Sequence, residues 1–289
     1  MGFVLVLLSA LLGLLPGHAP RPAALAAADQ AVKGELTIEL DPADQDRPLV
    51  LPRVLGPAGR PLVVLDPGHG GHDPGAKSPF DEKEEKAITL ELASAVRDKL
   101  IDGGRVRVAL TRDGDRYLAL RDRYEIARRL GAGLFISIHA DAAPHNDNAR
   151  GATIYTLSEV ASDREAALLA ARENKSDVIR GVELAAQDEG VSRILIDLAQ
   201  RESMDASADF ASLLRREAVR FFPFRPEWHR FASLVVLKAP DMPSILFESG
   251  YLTNVADAAY IQSEEGRDQI ATGMRRAIEA HFARRGAVS

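Results

Sequence analysis

Six short apolar runs recur along the chain: Leu62 to Leu65, Val106 to Leu110, Leu134 to Ile138, Ala152 to Leu157, Leu234 to Leu237 and Ser244 to Phe247. Short, continuous apolar runs of this kind, bounded by turn residues, mark strands buried on both faces. Between them Leu90, Ala93, Val96 and Leu100 return at the spacing of one helix face, as do Leu120, Ile126, Ala127 and Leu130, and later Ile270, Met274, Ile278 and Phe282. Strand and helix in alternation predict an α/β fold. The expected architecture is a mostly parallel six-stranded sheet flanked by helices, a single domain over residues 61–285.

Residues 158–205 break the rhythm. They hold helix-like material, Ala166 to Glu173 and Val191 to Gln200, with no strand between. This stretch is expected to be a helical insertion, and its stripe Val191, Ile194, Leu195 and Leu198 is either a gripping surface for another protein or packing within the insertion. Ahead of the domain, residues 29–60 are rich in Asp, Pro and Gly and suit a linker or edge segment. The apolar run from Phe3 to Leu15 has the length of a signal-peptide core and is too short to span a bilayer comfortably. With small residues at Ala24, Ala26 and Ala28, it predicts a signal peptide over residues 1–28, export, and no stable membrane span.

Composition narrows the chemistry. A formal charge of −6 leaves no basic surplus for phosphate neutralisation, so no nucleic-acid partner is expected. The chain has no cysteine, which excludes disulfides, thiolate metal sites and thiol nucleophiles. Any metal must be held by His, Asp and Glu.

In open α/β sheets, ligands bind beyond the carboxyl ends of the strands. The first run leads into Asp66-Pro67-Gly68-His69-Gly70-Gly71-His72-Asp73-Pro74-Gly75, a tight loop presenting His69; the third closes on His139 and Asp141, and the last on Glu248. Two histidines and a carboxylate thus meet at one edge. A catalytic zinc needs three such ligands, an open position and a further carboxylate to take a proton. The third ligand falls within Glu82-Lys83-Glu84-Glu85-Lys86, where spacing does not choose among Glu82, Glu84 and Glu85.

These motifs, together with Thr111-Arg112, Leu120 followed by Arg123, Ser137-Ile138-His139-Ala140 and Pro243 to Glu248 through Asn254, resemble the zinc-dependent N-acetylmuramoyl-L-alanine amidases. The resemblance runs from about Pro61 to Phe282. It implies one Zn²⁺ per chain held by His69, Glu85 and His139, with Glu248 as the catalytic carboxylate. It further implies a peptidoglycan substrate, cut between N-acetylmuramic acid and L-alanine, and a periplasmic location. The chain is also similar to the division-type amidases in carrying the helical insertion, which in that subgroup occludes the zinc until an activator protein displaces it. Glu173 is the expected plug, with Glu165, Asp177 and Glu183 as competitors.

Asp66 and Asp141 are expected to orient the ligand imidazoles, and Arg112 and Arg123 to sit in structural ion pairs. His72 reads as a loop residue outside the ligand set; His145, His229 and His281 read as surface residues. Two other functions fit parts of the pattern: a zinc carboxypeptidase-like peptidoglycan peptidase, which needs an Arg for a terminal carboxylate that the sequence does not single out, and a silent cell-wall scaffold, which the retained ligand set disfavours.

Overall fold

The computed structural model describes residues 49–143, 146, 148–175 and 191–286, with backbone alone for 191–197. The expected signal peptide, most of the expected linker, His145, Asp177 and Glu183 lie outside the described residues. Elements run in the order β1 (Leu62–Pro67), α1 (Glu85–Gly103), β2 (Arg107–Leu110), α2 (Leu120–Arg129), β3 (Leu134–Asp141), β4 (Ala152–Leu157), α3 (Arg164–Glu173), α4 (Val191–Ala218), β5 (Phe224–Ala232), β6 (Ser244–Tyr251), α5 (Val255–Gln262) and α6 (Glu264–Gly286).

The strands form one six-stranded sheet in the order β2-β1-β3-β6-β4-β5. Neighbours are parallel except at β6 and β4, where Thr153 stands opposite Glu248 in an antiparallel pair. Alternate residues of β1 explain why its run is apolar throughout. Val63 and Leu65 join a core beneath α1, α4 and α6, whereas Leu62 and Val64 join a second core beneath α2 and α3. Upstream of β1, Leu55 bridges antiparallel to Val108 of β2.

Three details differ from the sequence reading. The apolar run Val235–Leu237 is a 3₁₀ turn packed into the second core, and the fifth strand is instead Phe224–Ala232. β5 is an edge strand, only partly buried and carrying Pro226, so it lacks the continuous apolar signature of the central strands. In α1 the buried stripe is Ile88, Leu92, Ala93, Val96 and Leu100, which leaves Leu90 on the flank. Last, α4 continues without a break past Asp205 to Ala218, and Phe210, Leu213 and Leu214 on its second half belong to the main core.

His281 departs from its expected surface position, being 7% exposed between the rings of Phe210 and Phe282. Burial, reinforced by Arg285 and Arg284, pulls its imidazole down to about 4. His229 is half-buried, with Nε2 3.0 Å from the Thr156 hydroxyl.

The carboxyl ends of β1, β3 and β6 lie side by side. A buried clasp ties the first two: Asp66 accepts from Thr111 Oγ1 at 2.5 Å, from Arg123 Nη1 at 3.1 Å and from Ser137 Oγ at 2.8 Å. Removing one partner of a buried, hydrogen-bonded ion pair leaves the other charge stranded. Arg123→Met is therefore expected to cost about 3–5 kcal/mol in urea unfolding, whereas Lys83→Met, at the exposed Lys83–Glu91 pair, costs less than about 1 kcal/mol.

His281 gives a pH-dependent expectation. Between its ordinary value near 6.5 and the folded value of about 4, the unfolded chain binds a proton that the folded chain does not. Stability therefore falls as pH drops through this window and gains nothing from this group above it. His281→Phe should flatten the urea-midpoint profile between pH 6.5 and 4.5; an unchanged slope assigns the acid sensitivity elsewhere.

Candidate metal centre

The loop after β1 turns sharply enough to put His69 at φ 61°, a left-handed backbone that a non-glycine residue adopts at a cost of about 1–3 kcal/mol. Two buried arginines hold it there. Arg123 donates to the carbonyls of Pro67 (3.0 Å) and His69 (2.9 Å), and Arg112 to those of Pro67 (3.0 Å) and Gly68 (2.7 Å). Arg123 thus makes the expected ion pair, with Asp66. Arg112 does not pair with a carboxylate in this way; it is spent on loop carbonyls and Thr89, and burial together with Arg123 brings it down to about 10.

His139, at the end of β3, meets His69 edge to face with ring centroids 4.8 Å apart. Room for this pair requires glycine on two sides. A Cβ on Gly68 would lie 2.5 Å from the His139 ring, and one on Gly75 would lie 2.6 Å from both the His69 ring and the Glu85 carboxylate.

Glu85, at the first turn of α1, reaches across to both imidazoles. Its Oε2 is 3.1 Å from His69 Nε2 and its Oε1 is 3.2 Å from His139 Nδ1. The same oxygens accept from the backbone N–H groups of Ala76 (2.7 Å) and Ala140 (2.9 Å), which fixes the carboxylate's orientation. Burial opposes its charge, but the two histidines outweigh it and hold the carboxyl well below its usual range. The other two glutamates in this stretch point elsewhere: Glu82 pairs with Lys77 and Glu84 with Lys86.

Opposite Glu85 stands Glu173, the last residue of α3, buried to 5% exposure. Its Oε2 lies 3.6 Å from His69 Nε2 and 3.5 Å from His139 Nδ1. Among the described residues, His69, His139 and Glu173 form a group whose donor atoms all fall within 4.8 Å of one another. Ligands about 2.0–2.1 Å from a tetrahedral ion are separated from each other by about 3.3–3.4 Å. The observed separations bracket that value.

Asp66 touches neither imidazole, since its carboxylate is committed to Thr111, Arg123 and Ser137. Asp141 accepts from Arg172 Nη2 at 2.7 Å and from the Ala142 N–H at 2.6 Å; burial pushes it up to about 6 against the pull of Arg172. The carboxylate that orients an imidazole is Asp73, whose Oδ2 is 2.9 Å from His69 Nδ1. This fixes Nε2 as the nitrogen facing the centre. Sequence reasoning passed over Asp73, although its place four residues after His69 in a glycine-rich turn was a usable signal. His72 stacks on Tyr117, with centroids 4.2 Å apart, and is exposed.

Glu248 lies beside His139 in the β3–β6 register, 1% exposed, and neither of its oxygens has a hydrogen-bond partner. Burial raises its carboxyl well above the usual range, and the nearby Asp141, Glu85 and Glu173 raise it further. At the same β4–β6 pairing, the hydroxyls of Thr153 and Tyr155 are also buried without partners.

These residues fit a zinc ion. His69 Nε2 is buried without a hydrogen-bond partner, so its lone pair is left for a cation. Without a bound cation, the carboxylates hold the His69 imidazole well above its usual value despite burial. Oxygen and nitrogen donors with no thiolate suit zinc in an open, reactive site.

The family model for N-acetylmuramoyl-L-alanine amidases of the Amidase_3 type matches residues 63–280. The chain is 35% identical over 232 residues to N-acetylmuramoyl-L-alanine amidase AmiA of Escherichia coli, covering 80% of this chain and 79% of the relative. It is also 35% identical over 232 residues to AmiC of Neisseria meningitidis, covering 78% and 55%. Among solved structures, AmiC2 of Nostoc punctiforme superposes with a TM-score of 0.56 at 26% identity, over 78% of this chain and 99% of that one. The chain belongs to the Amidase_3 family of N-acetylmuramoyl-L-alanine amidases.

Proposed function

We propose that this chain is an exported, zinc-dependent peptidoglycan amidase whose insertion holds it inactive. The observation that carries the proposal is the buried meeting of His69, His139, Glu85 and Glu173, with donor atoms 3.1–3.6 Å apart and unpartnered Glu248 alongside. His69, Glu85 and His139 would hold the ion, and Glu173 would stand where water and substrate need room. Bound zinc supplies Lewis acidity toward the scissile carbonyl and makes water acidic enough to lose a proton near neutrality.

The chain's own residues do the rest. Asp73 keeps the His69 Nε2 lone pair directed at the centre, and the Ala76 and Ala140 N–H groups hold Glu85 in place. Glu248 takes the proton from the attacking water on a carboxylate oxygen and returns it to the amide nitrogen of L-alanine as the bond breaks. Glu248 thus serves in turn as base and acid.

Autoinhibition rests on α3. Asp163 caps it by accepting from the Ala166 N–H at 2.9 Å, and Asn174 closes it by bonding Ser233 O and Val235 N. Between these anchors Arg172 bridges Asp141 and Glu173. Release of α3 uncovers the centre, and an activator protein that grips the insertion is the partner this reading calls for. Leu198 on α4, 59% exposed, belongs to the apolar stripe; the side chains of Val191, Ile194 and Leu195 lie outside the described residues. Among the described residues, no helix is long and apolar enough to cross a membrane.

The test is incubation of the zinc-loaded full chain with purified peptidoglycan and mass spectrometry of the products. Stem peptides with a free N-terminal L-alanine are expected, and products cut only within the stem would overturn the assignment in favour of a peptidase. Glu248→Gln should lower turnover about 10²–10⁴-fold while zinc content, read by elemental analysis, stays at one per chain; full activity in this variant removes Glu248 from the chemistry. Glu173→Ala should raise the basal rate severalfold with little change in the thermal midpoint, and an unaltered rate excludes Glu173 as the plug.

A further inference from the structure

A second feature lies on the same sheet edge. A cavity of about 770 Å³ opens between the loop carrying Pro79 and Phe80, the approach to β4 at Arg150, and the turn from Thr253 to Ala256 after β6. Each wall is continuous with a strand or loop that carries part of the metal centre. Phe80 lies between His69 and Glu85 in the chain, Thr253 follows the strand that holds Glu248, and Arg150 precedes the strand whose Thr153 pairs with Glu248. Because β4 runs antiparallel to β6, its entry and the exit of β6 sit at the same edge. Arg150 stands two residues before β4 begins at Ala152 and three before Thr153, the partner of Glu248.

The chemistry of the walls is mixed. Phe80 is 52% exposed and Val255 65% exposed, an apolar pair without cover among the described residues. Between them Arg150 is 61% exposed, its Nε 3.6 Å from Asp257 Oδ1. Asp257 is itself buried and committed to the N–H groups of Gly151 (2.7 Å) and Tyr251 (3.1 Å). The guanidinium is therefore anchored on one side by a carboxylate that is largely satisfied already, while most of the side chain faces solvent at the cavity. One wall is also braced, since the Ala143 N–H bonds Thr253 Oγ1.

Of the two parts of the substrate that leave the scissile amide, the glycan is a neutral sugar chain and the stem peptide is acidic. In peptidoglycan the residue after L-alanine is a γ-linked glutamate whose α-carboxylate is either free or amidated. An extended chain advances about 3.3–3.6 Å per residue, which carries that carboxylate several ångströms from the reacting carbonyl, and the arginine side chain closes the remaining gap. We infer that this cavity is the stem-peptide subsite and that Arg150 is its specificity residue, selecting stems in which the second residue bears a free α-carboxylate. The inference rests on the amidase reading and adds the chemistry of the leaving group that the enzyme accepts.

The experiment compares two N-acetylmuramoyl tripeptides that differ only in a carboxylate or a carboxamide at the second residue, hydrolysed by zinc-loaded full chain carrying Glu173→Ala for measurable rates. The parent is expected to favour the free acid about tenfold in kcat/KM, through KM. Adding Arg150→Gln should abolish the preference by raising KM for the acid and leave the amide's constants unchanged, and Arg150→Lys should keep part of it. Equal losses on both substrates, or a preference that survives Arg150→Gln, overturn the inference. Calorimetric titration with the released free-acid and amidated tripeptides gives a readout without turnover. Arg150-dependent binding of the acid with no hydrolysis of either substrate would keep the subsite and overturn the amidase reading. Binding that ignores Arg150 alongside normal hydrolysis does the reverse.

Discussion

Charge concentration governs this molecule. Glu85, Glu173, Glu248 and Asp141 are all at most 5% exposed, they surround two imidazoles, and Arg172 is the cation that enters the cluster from the insertion. Buried carboxylates at this density are tolerated only when protons or cations offset them. The opposite shifts of neighbouring groups follow from that crowding: Glu85, within 3.2 Å of both histidines and accepting from two backbone donors, stays ionised, whereas Glu248, with no hydrogen bond, is driven toward its neutral form. Two neighbouring carboxylates are thereby prepared for different tasks by their partners alone.

Holding such a cluster requires a stiff frame, and the frame is built from arginine and glycine. Arg112 and Arg123 use guanidinium N–H groups on the carbonyls of Pro67, Gly68 and His69, so the left-handed turn at His69 is restrained by hydrogen bonds on consecutive peptide units. Gly68 and Gly75 leave the space the imidazoles and Glu85 occupy. Arg123 also bonds Asp66, which bonds Thr111 and Ser137, so the ends of β1, β2 and β3 share one network. A lysine in either arginine position would supply the charge without the planar fork that spans several carbonyls.

The architecture was legible where residues are buried on both sides. Continuous apolar runs marked β1 to β4 and β6, and the 3.6-residue period marked α1, α2 and α6. It failed at β5 because an edge strand need not be apolar, and at Val235–Leu237 because an apolar run also suits a buried turn. The two histidines and Glu248 were visible as polar residues closing strands. Spacing did not choose Glu85 over Glu82 and Glu84, and the family resemblance alone selected it, because the choice depends on which carboxylate points back toward the loop. Likewise Asp66 has the position of an orienting carboxylate but spends its oxygens inside the clasp, while Asp73, inside the turn, reaches the ring. Sequence spacing places backbones, whereas competition among hydrogen-bond partners decides which side chain arrives.

The contacts of α3 suit the role of releasable plug proposed for Glu173. The contacts of α3 divide into an apolar set, Ala166, Leu169 and Ala170 against the second core, and a polar set at its two ends. At its start, Asp163 and Glu165 face Arg230 and Arg225 of β5, with Arg225 also bonding Tyr251 of β6; at its end, Asn174 bonds Ser233 O and Val235 N. Three small or medium side chains bury little area, so much of the fastening is ionic and sits near the surface, where water and a partner's charges can replace it. Withdrawing Glu173 also frees Arg172 from one of its two carboxylates, leaving Asp141 as its remaining anchor. In the proposed release, opening α3 would exchange protein–protein ion pairs for solvated or partner-bound ones, a change that needs no rearrangement of the sheet.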